Sequence, residues 1–459
     1  MIALKPSHLL SFVLGLHAFP ANAAPPAAPA EWKSTQPMSK KAATASDNWW
    51  QVFQDPELTQ LITEATSSYP GLQAVLARVE QAKSAVISSR ASWFPRVDLN
   101  GGASRDKFSE TIVFSLPTSN TFSTGLELSY ELDLWGRIRG GVKAAKAQEA
   151  SATADAHALG LMLSSEVARV YFALRSIDEE KQVLTDTLKL RQEALDMATA
   201  RVEAGATNEL DRVRAEAELA GTQAEIAALT GPRTELENTL ALVLGRMASS
   251  YKVPVRKLPT ALPAIPSVVP AELVQRRPDV ASAMKQVEMA QAKVGVTKAA
   301  YFPKVTLGAG IGVETSSTSN YFERESNEWT VGLRFSLPLT VGGQRKAAVD
   351  AAKAALKEVQ GNYEEKVLTA FKEVESLMAT LSAQETQLAA QKRLQAAADK
   401  ASKLARQRYA EGVTTYLEVI EADRTALSSQ RGYVQLQGQR LMTTVQLIKA
   451  LGGGWKAAQ

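Results

Sequence analysis

Two hydrophobic periods alternate along the chain. A two-residue period appears first in Val97, Leu99, Gly101 and Ala103, which alternate with Arg96, Asp98, Asn100, Gly102 and Ser104. It returns in Leu126, Leu128, Tyr130, Leu132 and Leu134, set against Glu127, Ser129, Glu131 and Asp133. Val305 to Val313 and Trp329 to Leu339 repeat the pattern. One apolar and one polar face is a strand signature, which predicts four strands over about 95–105, 122–134, 303–314 and 328–340. A helical period takes over after each strand pair. Tyr363, Val367, Ala370, Val374, Leu377 and Leu381 are spaced 4, 3, 4, 3, 4, as in a coiled-coil seam. Ile177, Leu184, Leu188 and Leu195 give a sparser version.

The two sets belong to a duplication. Trp93-Phe94-Pro95 matches Tyr301-Phe302-Pro303 at a shift of 208, while Arg201 and Gly205 match Arg408 and Gly412 at a shift of 207. Each unit of about 200 residues begins with a helix (about 70–92 and 278–300) closed by Phe-Pro, because a residue before proline is driven out of the helical region. Proline is absent from Thr118 to Gly231 and from Leu339 onward, which leaves room for long helices. Gly205 and Gly412 break those helices into hairpins over 137–245 and 344–452, the longer arm reaching about 100 Å at 1.5 Å per residue. The units are then 70–245 and 278–452, preceded by an N-terminal segment 24–69, joined by a proline-rich linker 246–277 and followed by a tail 453–459.

Composition narrows the chemistry. The chain has 459 residues, 45% hydrophobic and 22% charged, the balance of a folded protein. Its net charge of +4 is spread without a basic block, so nothing selects nucleic acid. No cysteine is present, which removes thiol nucleophiles, thiolate metal sites and a Cys-linked lipid anchor. Three histidines, two of them His8 and His17, leave His157 alone in a processed chain, too few for a triad or a histidine-rich metal centre. Gly308, Gly310 and Gly312 sit inside an alternating strand, where a nucleotide loop has no place. The expectation is no enzyme, no metal and no cofactor. Lys5, the apolar run Leu9 to Phe19 and Ala21-Asn22-Ala23 read as a signal peptide over 1–23, so the chain is expected to be exported without an acyl anchor.

Aromatic residues at the strand margins, among them Trp93, Phe94, Phe122, Trp135, Phe302 and Trp329, suit the two interfaces of a bilayer. Four strands cannot close a barrel, since the smallest need about eight, and an open edge in lipid is costly. Three copies supply twelve. The expected fold is therefore mixed α and β: a trimeric 12-stranded transmembrane barrel, four strands per chain, continued by a long periplasmic α-helical barrel. A soluble β-sandwich joined to a coiled coil fits the same alternation. A periplasmic coiled-coil scaffold or adaptor is the competing function, although such a protein would normally carry one helical hairpin.

Several motifs bear a resemblance. Trp49-Trp50-x-x-Phe53-x-Asp55-Pro56-x-Leu58, Asp133-Leu134-Trp135-Gly136-Arg137, Arg276-Arg277-Pro278-Asp279-Val280 and the two Phe-Pro pairs occur in an order that resembles the TolC superfamily of outer-membrane efflux proteins, most closely its NodT branch. The resemblance covers nearly the whole mature chain. It implies an outer-membrane homotrimer, embedded in lipid, that passively receives small molecules from an inner-membrane pump, of the resistance-nodulation-division type, through a periplasmic adaptor. Many members of that branch carry a lipidated cysteine, which is missing here.

The hairpin tips hold the candidate site. Arg201 to Gly205 and Arg408, Tyr409 to Gly412 each end a long helix at a glycine, with Asp211 and Glu418 at the same offset beyond. Glu418 and Glu421 share one helix face and, taken alone, read more readily as solvated charges. The resemblance implies that they match an acidic pair ringing the periplasmic constriction, with Asp211, Tyr409 and Arg408 completing the gate. Arg201, Gly205, Gly412 and Thr414 then form the tips and the adaptor-docking surface. Thr414 stands where the family has a basic residue, so a gate ion pair through that position is in doubt.

Overall fold

The computed structural model describes residues 29, 32–33, 48–107, 109, 111, 117–259, 262–263 and 270–453; the expected signal peptide and residues 454–459 of the tail lie outside them. Helices α1 (Pro56–Ser68) and α2 (Pro70–Ala91) lead into strands β1 (Arg96–Asp106) and β2 (Ser119–Glu131). Helix α3 (Arg137–Glu203) returns through α4 (Glu209–Ala228) and α5 (Thr230–Val243). After the short α6 (Pro270–Arg276), the second unit repeats the order: α7 (Pro278–Ala299), β3 (Lys304–Thr315), β4 (Asn327–Ser336), α8 (Gln344–Ala410) and α9 (Tyr416–Ala450). The return arm of the first hairpin is interrupted at Leu229 rather than continuous. Pro232 has no N–H to give the carbonyl four residues back, so the ladder breaks there.

The strands form one antiparallel sheet in the order β1-β2-β3-β4. Its register sorts the side chains cleanly. Leu99, Leu126, Ile311 and Trp329 lie in one row, and Val97, Leu128, Ala309 and Val331 in the next, all on one face. Asp98, Glu127, Gly310 and Thr330 lie on the other. The apolar face is bare: Leu99 is 73% exposed, Trp329 79% and Phe335 69%. On the polar face Gly125 and Gly312 oppose each other so closely that a Cβ on Gly312 would stand 2.7 Å from the Thr124 carbonyl oxygen.

The motifs at the strand exits join sheet to helices. Asp133, expected on a strand face, instead accepts hydrogen bonds from the N–H groups of Ile138 (3.0 Å) and Arg139 (2.9 Å) and so caps α3. Trp135 stacks on Phe302 at 4.6 Å and donates through Nε1 to the Pro303 carbonyl (2.8 Å), fastening the first unit to the second. Gly136 takes φ +77° to turn the chain into α3. Arg137 holds Glu131 through two 2.7 Å bonds.

Further along, the helices lie side by side in the order α4, α3, α9, α8. The inner pair is well packed, whereas α4 buries only Ala215 and Thr222. The α8 seam runs through Tyr363, Val367, Ala370, Val374, Met378 and Leu381. Met378 is fully buried there and the expected Leu377 packs half-buried against the same core, because a helix of 3.6 residues per turn drifts from a strict 3.5 repeat. Midway, Trp49, Leu58, Ile62, Phe172, Leu240 and Val445 form a belt core. Asp55 caps α1 and accepts from the Tyr171 hydroxyl (2.7 Å). Val253 and Leu258 of the proline-rich segment are buried in the same core, and Leu273 of α6 is buried against α7 and α8, so this segment is strapped to the helices. Arg277 joins three elements, bonding Asp279 (2.9 Å), Glu373 of α8 (2.6 Å) and the Ala450 carbonyl at the end of α9 (3.3 Å).

Candidate functional site at the hairpin tips

Both tips end their long helix in the same way. Gly205 (φ +67°) and Gly412 (φ +76°) adopt the left-handed conformation that glycine reaches without a Cβ penalty. Ala206 N–H donates to the Arg201 carbonyl (2.8 Å) and Val413 N–H to the Arg408 carbonyl (2.9 Å). Gly205 and Gly412 N–H reach Val202 and Tyr409 carbonyls at 2.9 and 3.0 Å. These are the paired bonds of a Schellman motif.

One arginine ties the tips together. Arg201 donates to the Tyr409 carbonyl (3.0 Å) and the Ala410 carbonyl (2.9 Å), and its guanidinium lies 4.6 Å from the Tyr409 ring centroid. The last carbonyls of α8 thereby gain charge-assisted partners from the other hairpin. Tyr409 in turn packs on Tyr416 (5.3 Å) within a small core of Ala198, Ala215, Val419 and Ile420. Burial pushes both phenols up, Tyr416 to about 12, and the nearby Asp211 carboxylate adds to the effect on Tyr409. Both rings are neutral at any pH the protein meets. The Tyr409 hydroxyl and the Thr414 Oγ1 are buried with no hydrogen-bond partner among the described residues.

The acidic candidates do not converge within one chain. Asp211 accepts from the Thr207 hydroxyl (2.6 Å) on the first hairpin. Glu418 and Glu421 are exposed at the start of α9, on the face opposite buried Tyr416, Val419 and Ile420, and neither forms an ion pair among the described residues. In the first turn, Glu418 is favoured by the positive end of the helix dipole. Arg408 is exposed and its side chain has no partner among the described residues, whereas buried Tyr409 lies between the hairpins.

Sequence reasoning missed the clamps above the tips. Glu218 of α4 is held by Arg191 of α3 (2.9 Å) and Arg424 of α9 (3.0 Å). Asp423 of α9 accepts from Arg406 (2.9 Å) and Ser402 (2.6 Å) of α8. Arg431 of α9 reaches Glu180 (2.8 Å) and Glu225 (2.9 Å) on the first hairpin. A buried charge at a seam position looks like a solvated one in sequence, and no single-chain pattern marks the difference.

The outer membrane efflux protein family model matches residues 61–246 and 269–453, one match to each unit. The chain belongs to this family. It is 31% identical to the pyoverdine export outer membrane protein OpmQ of Pseudomonas putida, over 98% of each chain. It is 29% identical to the probable outer membrane lipoprotein SilC of Salmonella typhimurium, over 91% of this chain and 92% of that protein. The solved outer-membrane channel OprN superposes with a TM-score of 0.89 at 28% identity, covering 95% of this chain and 98% of its own. Its relatives are outer-membrane efflux channels, and the mixed helix-and-strand fold is theirs. SilC is named a probable lipoprotein; the sequence here holds no cysteine, the residue such anchors are built on.

Proposed function

We propose that three copies of this chain close into an outer-membrane exit duct of a tripartite efflux system. The observation that carries this reading is the two-faced sheet with open edges. Its apolar face is bare, its polar face carries Asp98, Glu127 and Arg334, and β1 and β4 each leave one side unpaired among the described residues. In lipid an unpaired edge costs several kcal/mol per group, and edge-to-edge closure removes that cost. Three sheets give twelve strands, with Glu127, Asp98 and Arg334 facing a water-filled lumen and Trp329 and Phe335 facing lipid. The open faces of α4 and α8 close the helical tube in the same step. The duct is passive, and the barrel holds it in the membrane.

At the far end, the exposed Glu418 and Glu421 of three chains form the ring of a periplasmic gate, with Asp211 and Tyr409 behind it. The tips around Gly205 and Gly412 receive the adaptor, and a pump of the resistance-nodulation-division type delivers small molecules through it. Light scattering in mild detergent tests the assembly: three chains per particle supports the duct, and a monomer or dimer overturns it.

A further inference from the structure

We propose that Arg408 caps the C-terminus of α3 in the partner subunit, so that the ring of tips is closed between copies of this chain by the same device that closes it within one. The proposal rests on the trimeric reading. Within a chain, Arg201 at the end of α3 reaches across to the end of α8 and binds the carbonyls of Tyr409 and Ala410. The repeat carries Arg201 onto Arg408, Tyr409 onto Val202 and Ala410 onto Glu203, all at a shift of 207. Helices run α4, α3, α9, α8 across the chain, so in a closed ring α8 faces α4 and α3 of the partner subunit as α3 faces α9 and α8 here. The two tips share their backbone geometry, which places equivalent donors and carbonyls at both junctions.

Every component of the second junction is present and open. The Arg408 guanidinium is exposed and unpaired among the described residues, and so is the Glu203 carboxylate. The terminal carbonyls of α3 form the negative end of a 67-residue helix, where a cation is favoured. The two junctions differ in their side chains. Arg201 meets the Tyr409 ring and the inert methyl of Ala410, whereas Arg408 meets Val202 and the carboxylate of Glu203. The contact between subunits therefore exchanges a cation–π interaction for an ion pair, and is the more sensitive of the two to charge and salt. Whenever hairpins of neighbouring subunits part at the tips, these three contacts break while the three Arg201 contacts stay.

The absence of cysteine makes the test clean. In Arg408→Cys/Glu203→Cys, a short bismaleimide should give a denaturing-gel ladder of one, two and three chains. Arg201→Cys/Ala410→Cys should give a one-chain band. A one-chain band from the first pair, with the protein still trimeric by light scattering, overturns the proposal and leaves the duct standing. A protein that is not trimeric before substitution overturns the duct reading and the proposal with it. In bilayers, Arg408→Glu should raise the closed-state conductance several-fold, and adding Glu203→Arg should return it to the parental value. Failure of the second change to restore it overturns the ion pair.

Discussion

The role proposed for Glu418 and Glu421 depends on the assembly. In one chain they are solvated, lie opposite the buried face of α9 and make no ion pair among the described residues. In the proposed duct six such carboxylates would ring one axis and draw in cations. Glu418→Ala/Glu421→Ala should lower cation selectivity and weaken block by multivalent cations in planar bilayers, with the trimer intact; unchanged selectivity removes the pair from the constriction. Arg277 is the opposite case, a residue whose work is done inside the chain. Loss of a buried, paired arginine typically costs about 3–5 kcal/mol, so Arg277→Ala should lower the thermal midpoint by several degrees. Burial pushes the Asp279 carboxyl up, but hydrogen bonds from Arg277 outweigh it and hold the group below the usual carboxylate range. A lowered folded value means this stabilisation is complete above the ordinary Asp titration and lost as the pH falls through the lower one. The Arg277→Ala protein should accordingly lose less stability on acidification than its parent; an equal loss contradicts the clamp.

At the scale of elements, period decided what could be read. The four strands and the ends of α2 and α7 follow from alternation and Phe-Pro, and the structure places β1 over Arg96–Asp106 and α7 over Pro278–Ala299. Where a side chain chose between two local roles, sequence reasoning picked the wrong one. Asp133 continues the alternation of β2 yet caps α3, because the free N–H groups at a helix start outbid a strand position. Leu377 fits a heptad and packs half-buried on the α8 core, but a straight helix turns Met378 fully inward beside it. Arg191, Glu218 and Arg424 form an interhelical clamp that periodicity cannot show, because pairing partners far apart in sequence leave no periodic trace. The tip glycines were legible from the duplication, whereas the Arg201 bridge between tips needed the third dimension. The glycine pair in the sheet carries a test of its own. A side chain at Gly312 would collide with backbone atoms of Thr124 and Gly125, so Gly312→Val should disturb the pairing of β2 with β3 and reduce trimer yield in detergent. The same change at Gly308, inside the sheet and with the Leu128 carbonyl oxygen 3.9 Å away as its nearest neighbour, should not. Equal yields would show that the sheet does not depend on this close approach.

For the whole molecule, duplication does the work of symmetry. The contact of β2 with β3 is a junction between units within a chain, and closure requires the same junction between β4 and β1 of the partner subunit. Leu126 opposes Ile311. The repeat carries Leu126 to Leu333 at a shift of 207 and Ile311 to Ala103 at a shift of 208, which keeps both on the apolar face. Directly opposed Cα atoms in an antiparallel pair lie about 4.5–5.5 Å apart, within the roughly 4.4–6.8 Å that a disulfide spans. The most direct measurement is therefore oxidation of Leu333→Cys/Ala103→Cys in membranes, followed by a non-reducing gel. A closed ring of three gives bands of one, two and three chains and none above, while Leu333→Cys/Leu99→Cys, four residues out of register, gives none. Bands that stop at two, continue past three or appear equally in the out-of-register pair would contradict the trimeric duct.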